Sequence, residues 1–205
     1  MFKDDSVSAH KPYLVGSAKV DFFAPFGMGV GCFDKVNDYL TVPDDADWDV
    51  QQLPFTIESY IRYSAVGTAE QVIITRTGAN YSYYLAVSAT EKGIFKSNSG
   101  GSSRWSIEGA TIMLPYTWYH LAGVSTGYVQ YLFVNGTKEG TDGAYSAILD
   151  DTTDGITIGT HYDQSLDFGG LLDQLKISKG IARYTDTFNP PEIKPGGNKL
   201  FMWIN

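Results

Sequence analysis

Phe55-Thr56-Ile57-Glu58-Ser59-Tyr60-Ile61-Arg62-Tyr63 is the stretch on which the fold turns. Phe55, Ile57, Ser59, Ile61 and Tyr63 alternate with Thr56, Glu58, Tyr60 and Arg62, so one face is mostly apolar and the other mixed. A period of two marks a strand with one side on a core, because successive side chains point to opposite faces. Similar runs, bounded by Gly, Asn, Asp and Ser, recur at 70–76, 81–88, 92–96, 117–125, 128–134, 155–160 and 171–178. Weaker ones lie near 18–23, 29–33 and 39–42, and helical periodicity is hard to find. The expectation is an all-β, two-sheet antiparallel sandwich.

The connections carry matching turn chemistry. Asn135-Gly136 follows the run ending at Val134, and Asn-Gly supplies the positive φ angles of a tight hairpin turn. Asn135-Gly136-Thr137 also spells a glycosylation acceptor, but the turn accounts for it fully. The Gly/Ser-rich stretch from Asn98 to Ser103 reads as a loop. The one break in composition, Pro190-Pro191 through Pro195-Gly196-Gly197-Asn198, separates a sandwich over 1–193 from a spacer and terminal strand over 194–205.

A chain of 205 residues suits a single β-sandwich domain. Its net charge of −8 would repel a phosphate backbone, which excludes nucleic acid as a natural partner. The single cysteine, Cys32, forms no intrachain disulfide and reads as a small core residue. Met1-Phe2-Lys3-Asp4-Asp5 lacks the pattern of a secretory signal, and no run approaches the roughly 18 apolar residues of a membrane span.

Four segments in order resemble the laminin-G-like branch of the concanavalin A-like superfamily. Cys32-Phe33-Asp34-Lys35-Val36-Asn37-Asp38-Tyr39-Leu40-Thr41-Val42-Pro43 is similar to its opening motif, with Lys35 where the family usually has Gly. Phe55-Thr56-Ile57-Glu58 resembles its next strand, and Thr117-Trp118-Tyr119-His120-Leu121-Ala122 with Leu132-Phe133-Val134-Asn135-Gly136 its hairpin. The fourth runs from Gly170 to Tyr184 and ends in Phe188-Asn189-Pro190-Pro191. The resemblance implies a single-domain jelly-roll sandwich. The Ala182-Arg183-Tyr184-Thr185 … Pro191 ending is similar to modules of bacteriophage tail and fibre proteins. It implies a non-enzymatic virion protein (a decoration, adaptor or fibre subunit) located in the particle, with other virion proteins and copies of itself as partners. The alternative is a lectin-like module that binds a host-surface glycan or receptor. A glycoside hydrolase of the same fold is the distant third.

Enzymes of this superfamily cleave glucans with carboxylates at alternate positions of one strand. The sequence contains no Glu-x-Asp-x-Glu, and Glu58 is expected to pair with Arg62 or face solvent. His10, His120 and His161 are scattered, with His120 in a structural role, so no catalytic residue is assigned and no cofactor is required. By resemblance, a structural calcium ion would take Asp34, Asn37, Asp38 and Asp173 as ligands, and Asp44, Asp45 and Asp47 make a second acidic loop. Tyr60, Tyr83, Trp105 and Tyr162 are the candidates for stacking on a sugar. Leu200, Phe201 and Trp203 lie in a terminal run that resembles the family's missing first strand. That run is expected to join a sheet of its own chain or of a neighbour.

Overall fold

The computed structural model describes residues 3–4, 8–23, 28–64, 69–76, 83–100, 102–142, 149, 153–192 and 201–202. In chain order the strands are β1 (Lys3–Asp4), β2 (Tyr13–Val15), β3 (Lys19–Phe23), β4 (Met28–Asp34), β5 (Tyr39–Val42), β6 (Phe55–Tyr63), β7 (Gln71–Arg76) and β8 (Tyr84–Val87). They continue with β9 (Gly93–Ser99), β10 (Ser102–Glu108), β11 (Tyr119–Ser125), β12 (Gln130–Val134), β13 (Thr137–Asp142), β14 (Ile156–Ile158), β15 (Gly169–Lys179) and β16 (Phe201–Met202). The helical content described is one short 3-10 turn at Ala46–Trp48, and no described helix is long and apolar enough to cross a membrane.

Two seven-stranded antiparallel sheets make the sandwich. The first runs β10-β9-β8-β7-β14-β5-β2 and the second β13-β12-β11-β6-β15-β4-β3. β14 sits between β7 and β5, and β15 between β6 and β4, so late strands close sheets begun early in the chain. This interleaving is the jelly-roll topology. The inward residues of β6 meet the first sheet: Phe55 packs on Tyr83, Phe95 and Trp105 at ring-centroid distances of 5.4, 6.0 and 6.5 Å. Gly123 on β11 lets the Phe95 ring approach, since a Cβ there would stand 2.5 Å from it. Asn135 and Gly136 both have positive φ, 48° and 76°, as the tight turn between β12 and β13 requires.

The outer face of the second sheet departs from the expected pattern. Thr56, Glu58 and Tyr60 point away from the core yet are buried. The segment over 180–192, which has no regular secondary structure, lies across them as a strap. Thr56 donates to the Ile181 carbonyl at 3.0 Å, and Tyr184 donates to Glu58 at 2.9 Å. The Phe188 N–H donates to the Gly136 carbonyl at 3.0 Å, and the Tyr60 hydroxyl to the Pro191 carbonyl at 2.5 Å. Tyr184 and Phe188 stack at 3.5 Å and pack with Ala122, Val124 and Phe133 into a small second core.

Cys32 is not a core residue. Phe33 turns inward, so strand alternation puts Cys32 on the outer face, half-buried. At the C-terminus, β16 pairs in parallel with β1 (Lys3 with Phe201, Asp4 with Met202), outside both large sheets. Leu200, Trp203 and the spacer lie outside the described residues.

Candidate functional site

The connection from β4 to β5 sets one end of the sandwich. Lys35 and Asn37 hold left-handed conformations, φ 71° and 57°, so the turn keeps at Lys35 the geometry for which a glycine is the easy choice. Hydrogen bonds hold it in place. The buried Asp38 carboxylate accepts the Ser17 N–H at 2.5 Å, the Ser17 hydroxyl at 3.1 Å and the Asp34 N–H at 3.0 Å. Asp34 accepts the Val36 N–H at 2.8 Å on one oxygen, and its other oxygen lies 3.2 Å from the Ser17 hydroxyl, whose single proton serves either Asp34 or Asp38. The Asn37 N–H reaches Asp167 at 2.9 Å. Gly16 must be glycine for this approach: its φ is 76°, and a Cβ would lie 2.3 Å from the Asn37 carbonyl oxygen.

This arrangement does not fit the four-ligand calcium site. The Asp34 and Asp38 oxygens already accept from N–H and O–H donors of the turn. Asp173 pairs with Tyr60, four residues along β15 from the Gly169 that faces Asp34, which is about 13 Å away at strand rise. Asp34 and Asp173 therefore share no ion. His10, Asp45 and Asp47 bring ligand-type atoms within 4.8 Å of one another on the acidic loop. There Asp47 accepts from Ser8 at 2.6 Å and contacts His10 at 2.9 Å, and Asp45 caps the 3-10 turn.

Beside the β4–β5 turn, on the outer face of the second sheet, lies a groove of about 450 Å³. Strand register builds its floor: Lys19 pairs with Cys32, Cys32 with Leu171, and Leu171 with Arg62, so these four form one row across β3, β4, β15 and β6. Ser17, Ser64 and Asp34 add hydroxyl and carboxylate groups at its rim. Burial, aided by the nearby Asp21 charge, pushes the Cys32 thiol pKa up, so it stays protonated at neutral pH.

The Arg62 guanidinium continues the row. Its Nε donates to the Tyr116 carbonyl at 3.0 Å, and the group lies 5.5 Å from the Tyr116 ring centroid. Tyr116 is 60% exposed, on a loop whose anchors are fixed. Glu139 accepts the Ala110 and Thr111 N–H groups at 2.8 and 2.7 Å. Met113 is buried and donates its N–H to the Glu91 carbonyl at 2.7 Å, and the Tyr116 N–H bonds the Tyr63 carbonyl at 2.8 Å. The loop thus sets an aromatic ring beside the Arg62 cation of β6, at the end of the polar groove.

The stacking candidates fall elsewhere. Tyr83 and Trp105 are core residues. Tyr60 is sealed under the strap, where burial, then the Glu58 and Asp173 charges, push its hydroxyl up to about 12. Their strands turn these rings toward packed neighbours, so a sugar cannot reach them. Tyr162 is half-buried, tilted against His161 at 4.4 Å. Sequence reasoning missed Tyr116 because it lies outside any strand. The signal available was Leu114-Pro115-Tyr116, an aromatic held in a short Pro-containing connection.

Glu58 pairs with neither Arg62 nor solvent. It is 4% exposed, 3.2 Å from His120 Nε2, and accepts from Tyr184. Burial alone would raise its carboxyl, but the His120 hydrogen bond and charge, with help from Tyr184 and Lys176, bring it below the ordinary carboxylate range. Asp173, also 4% exposed, accepts the Gln174 N–H at 2.8 Å, and burial pushes it up to about 6.

The concanavalin A-like lectin/glucanases superfamily model Laminin_G_3 matches residues 34–186. No curated protein matches the chain significantly. Among solved structures, the binding domain of Paraclostridial Mosquitocidal Protein 1 superposes with a TM-score of 0.70 at 13% identity, over 93% of this chain and 48% of that one. The binding domain of botulinum neurotoxin DC, solved in complex with SialylT, gives 0.65 at 12% identity over 83% and 43%. Domain 4 of AbnA, a GH43 extracellular arabinanase from Geobacillus stearothermophilus, solved in complex with arabinotriose, gives 0.62 at 12% over 82% and 81%. The chain spans about half the length of the toxin domains and most of the arabinanase domain. At these identities the likeness is one of fold, and the family match joins it to the same conclusion: the chain belongs to the concanavalin A-like lectin/glucanases superfamily.

Proposed function

We propose that the chain is a non-catalytic binding module that holds a saccharide in the groove at the β4–β5 end. The observation that carries this reading is the exposed Tyr116, whose ring lies against the Arg62 guanidinium, with Arg62, Ser17 and Ser64 lining the groove itself. A sugar offers an apolar ring face and a periphery of hydroxyls, which such a site meets with a stacking surface and hydrogen-bond partners. The binding domains of similar fold, one of them solved with arabinotriose, support it. Glu58 and its neighbours are sealed by the strap, and both groove carboxylates are engaged by the turn. The binding reading therefore stands ahead of a hydrolase.

It also stands ahead of the virion subunit, because the ending that suggested a particle works here within the chain, as the strap. A glycan array followed by titration calorimetry tests the proposal. Saturable binding that falls at least about ten-fold in Tyr116→Ala, with an unchanged melting curve, is the expected result. An array with no saturable signal overturns it.

A further inference from the structure

We infer that the loop between β10 and β11 is a lipid-contacting tip, whose Ile112 and Leu114 side chains enter the apolar layer of a zwitterionic membrane surface. Its composition is the reverse of an ordinary solvated loop. No charged residue occurs over 109–119, in a chain that is 19% charged. Among the described residues nine large hydrophobics are exposed, and three of them, Ile112, Leu114 and Tyr116, fall within five consecutive positions, each 60% exposed. Met113 is buried between the first two, so one side chain anchors the loop while its neighbours project.

The backbone beneath them is turned inward. The Ala110 and Thr111 N–H groups donate to Glu139, that of Met113 to the Glu91 carbonyl, that of Leu114 to the Tyr119 hydroxyl at 2.9 Å and that of Tyr116 to the Tyr63 carbonyl. Pro115 has no N–H to place. The Met113 carbonyl accepts from the Tyr63 hydroxyl and the Tyr116 carbonyl from Arg62. An apolar phase offers backbone groups no partner, so a loop that approaches one has to pair them within the protein. Tyr116 also keeps a left-handed backbone, φ 60°, which a bulky residue rarely holds unless its surroundings enforce it. Charge lies at the base of the loop: Glu139 at its start, Arg62 against Tyr116, and Glu91 behind, where its charge acts on the Tyr63 hydroxyl. A tyrosine with an apolar ring and a polar tip suits the headgroup level, behind two aliphatic side chains.

Area and charge select the occupant. Three side chains on one tip offer a patch of a few hundred Å², short of the roughly 800 Å² that each partner of a stable protein interface buries. A bilayer requires no matching shape. The net charge of −8 holds the chain off an anionic surface, which leaves a zwitterionic one.

Flotation of the full chain with phosphatidylcholine vesicles, and with vesicles that also contain phosphatidylserine, tests the tip. The expected result is association with phosphatidylcholine that is no tighter when phosphatidylserine is added. It should fall at least about ten-fold in Leu114→Asp and in Ile112→Asp, with unchanged melting curves. Both residues are exposed, and if one variant melts lower the other decides. Absence of flotation, flotation that survives both substitutions, or tighter binding to phosphatidylserine overturns the proposal. So does self-association in sedimentation that Leu114→Asp abolishes without any vesicle binding, since the tip then meets a second copy of the chain. The vesicles carry no saccharide, so their failure to bind leaves the saccharide reading of the groove standing, and a blank glycan array leaves the lipid contact standing.

Discussion

Replacing Asp173 by Asn should stabilise the protein at neutral pH, an unusual outcome for a buried polar residue. Asp173 sits on β15 opposite Tyr60, sealed beneath the strap, with one hydrogen bond from the Gln174 N–H at 2.8 Å. Burial raises its carboxyl from 3.8 to about 6. A folded-state value above the unfolded one means that the group's contribution is fully present below about pH 4 and lost as pH rises through 6. The shift of about two pH units corresponds to about 3 kcal/mol forgone at pH 7, at about 1.4 kcal/mol per unit. Asparagine keeps the shape and the acceptor for Gln174 but cannot ionise. Its extra N–H donors need partners, which offsets about 1 kcal/mol, so the expected gain at pH 7 is about 1–2 kcal/mol. Urea unfolding followed by tryptophan fluorescence at pH 4, 5, 6 and 7 measures it, as a raised midpoint with unchanged slope. The gain should vanish by about pH 4, where aspartic acid is already neutral. A variant less stable than the parent at pH 7 would refute the reasoning, since it would mean that a cation or donor holds the carboxylate ionised.

Glu58 should show the opposite sign. Its folded pKa is depressed, so its contribution is present above about pH 4.5 and lost as pH falls below it, and Glu58→Gln should flatten the acid limb of the stability profile. Arg76 is buried against Asp49, with Asp44 at 3.4 Å and the Trp48 carbonyl at 3.0 Å, so Arg76→Ala should cost about 3–5 kcal/mol by stranding Asp49. Thermal melts report this directly, and a loss under 1 kcal/mol would contradict the pairing. Excess chelator should leave the melting temperature unchanged, because Asp34 and Asp173 stand about 13 Å apart along β15 and share no ion. A drop restored by calcium would place an ion in the chain, with His10→Ala separating the acidic loop from the β4–β5 turn.

Strands that carry an apolar face were legible residue by residue. The run at 55–63 is β6 itself, and those at 128–134 and 171–178 correspond to β12 and β15 within a few residues. The strands at Ser102–Glu108 and Thr137–Asp142 were not legible. Both are sheet edges with mostly polar residues, Thr137–Asp142 having no large apolar side chain at all, and an edge strand is defined by backbone pairing that leaves no periodic mark. The carboxylates at 58 and 173 read as solvent-facing or metal-binding because the period of two assigns the outer face to water. The strap over 180–192 reverses that assignment.

Local chemistry determined from sequence alone the all-β class, the β12–β13 turn at Asn135-Gly136 and the family to which the chain is similar. Those properties depend on side-chain alternation and on φ angles, which neighbouring residues dictate. Tertiary structure alone decided the groove. Lys19, Cys32, Arg62 and Leu171 are spread along most of the chain and become one row only when β15 inserts between β4 and β6. Alternation fixes which face each side chain takes, but which strands become neighbours is a long-range pairing, here of β15 with β4 and β6, that no local pattern encodes.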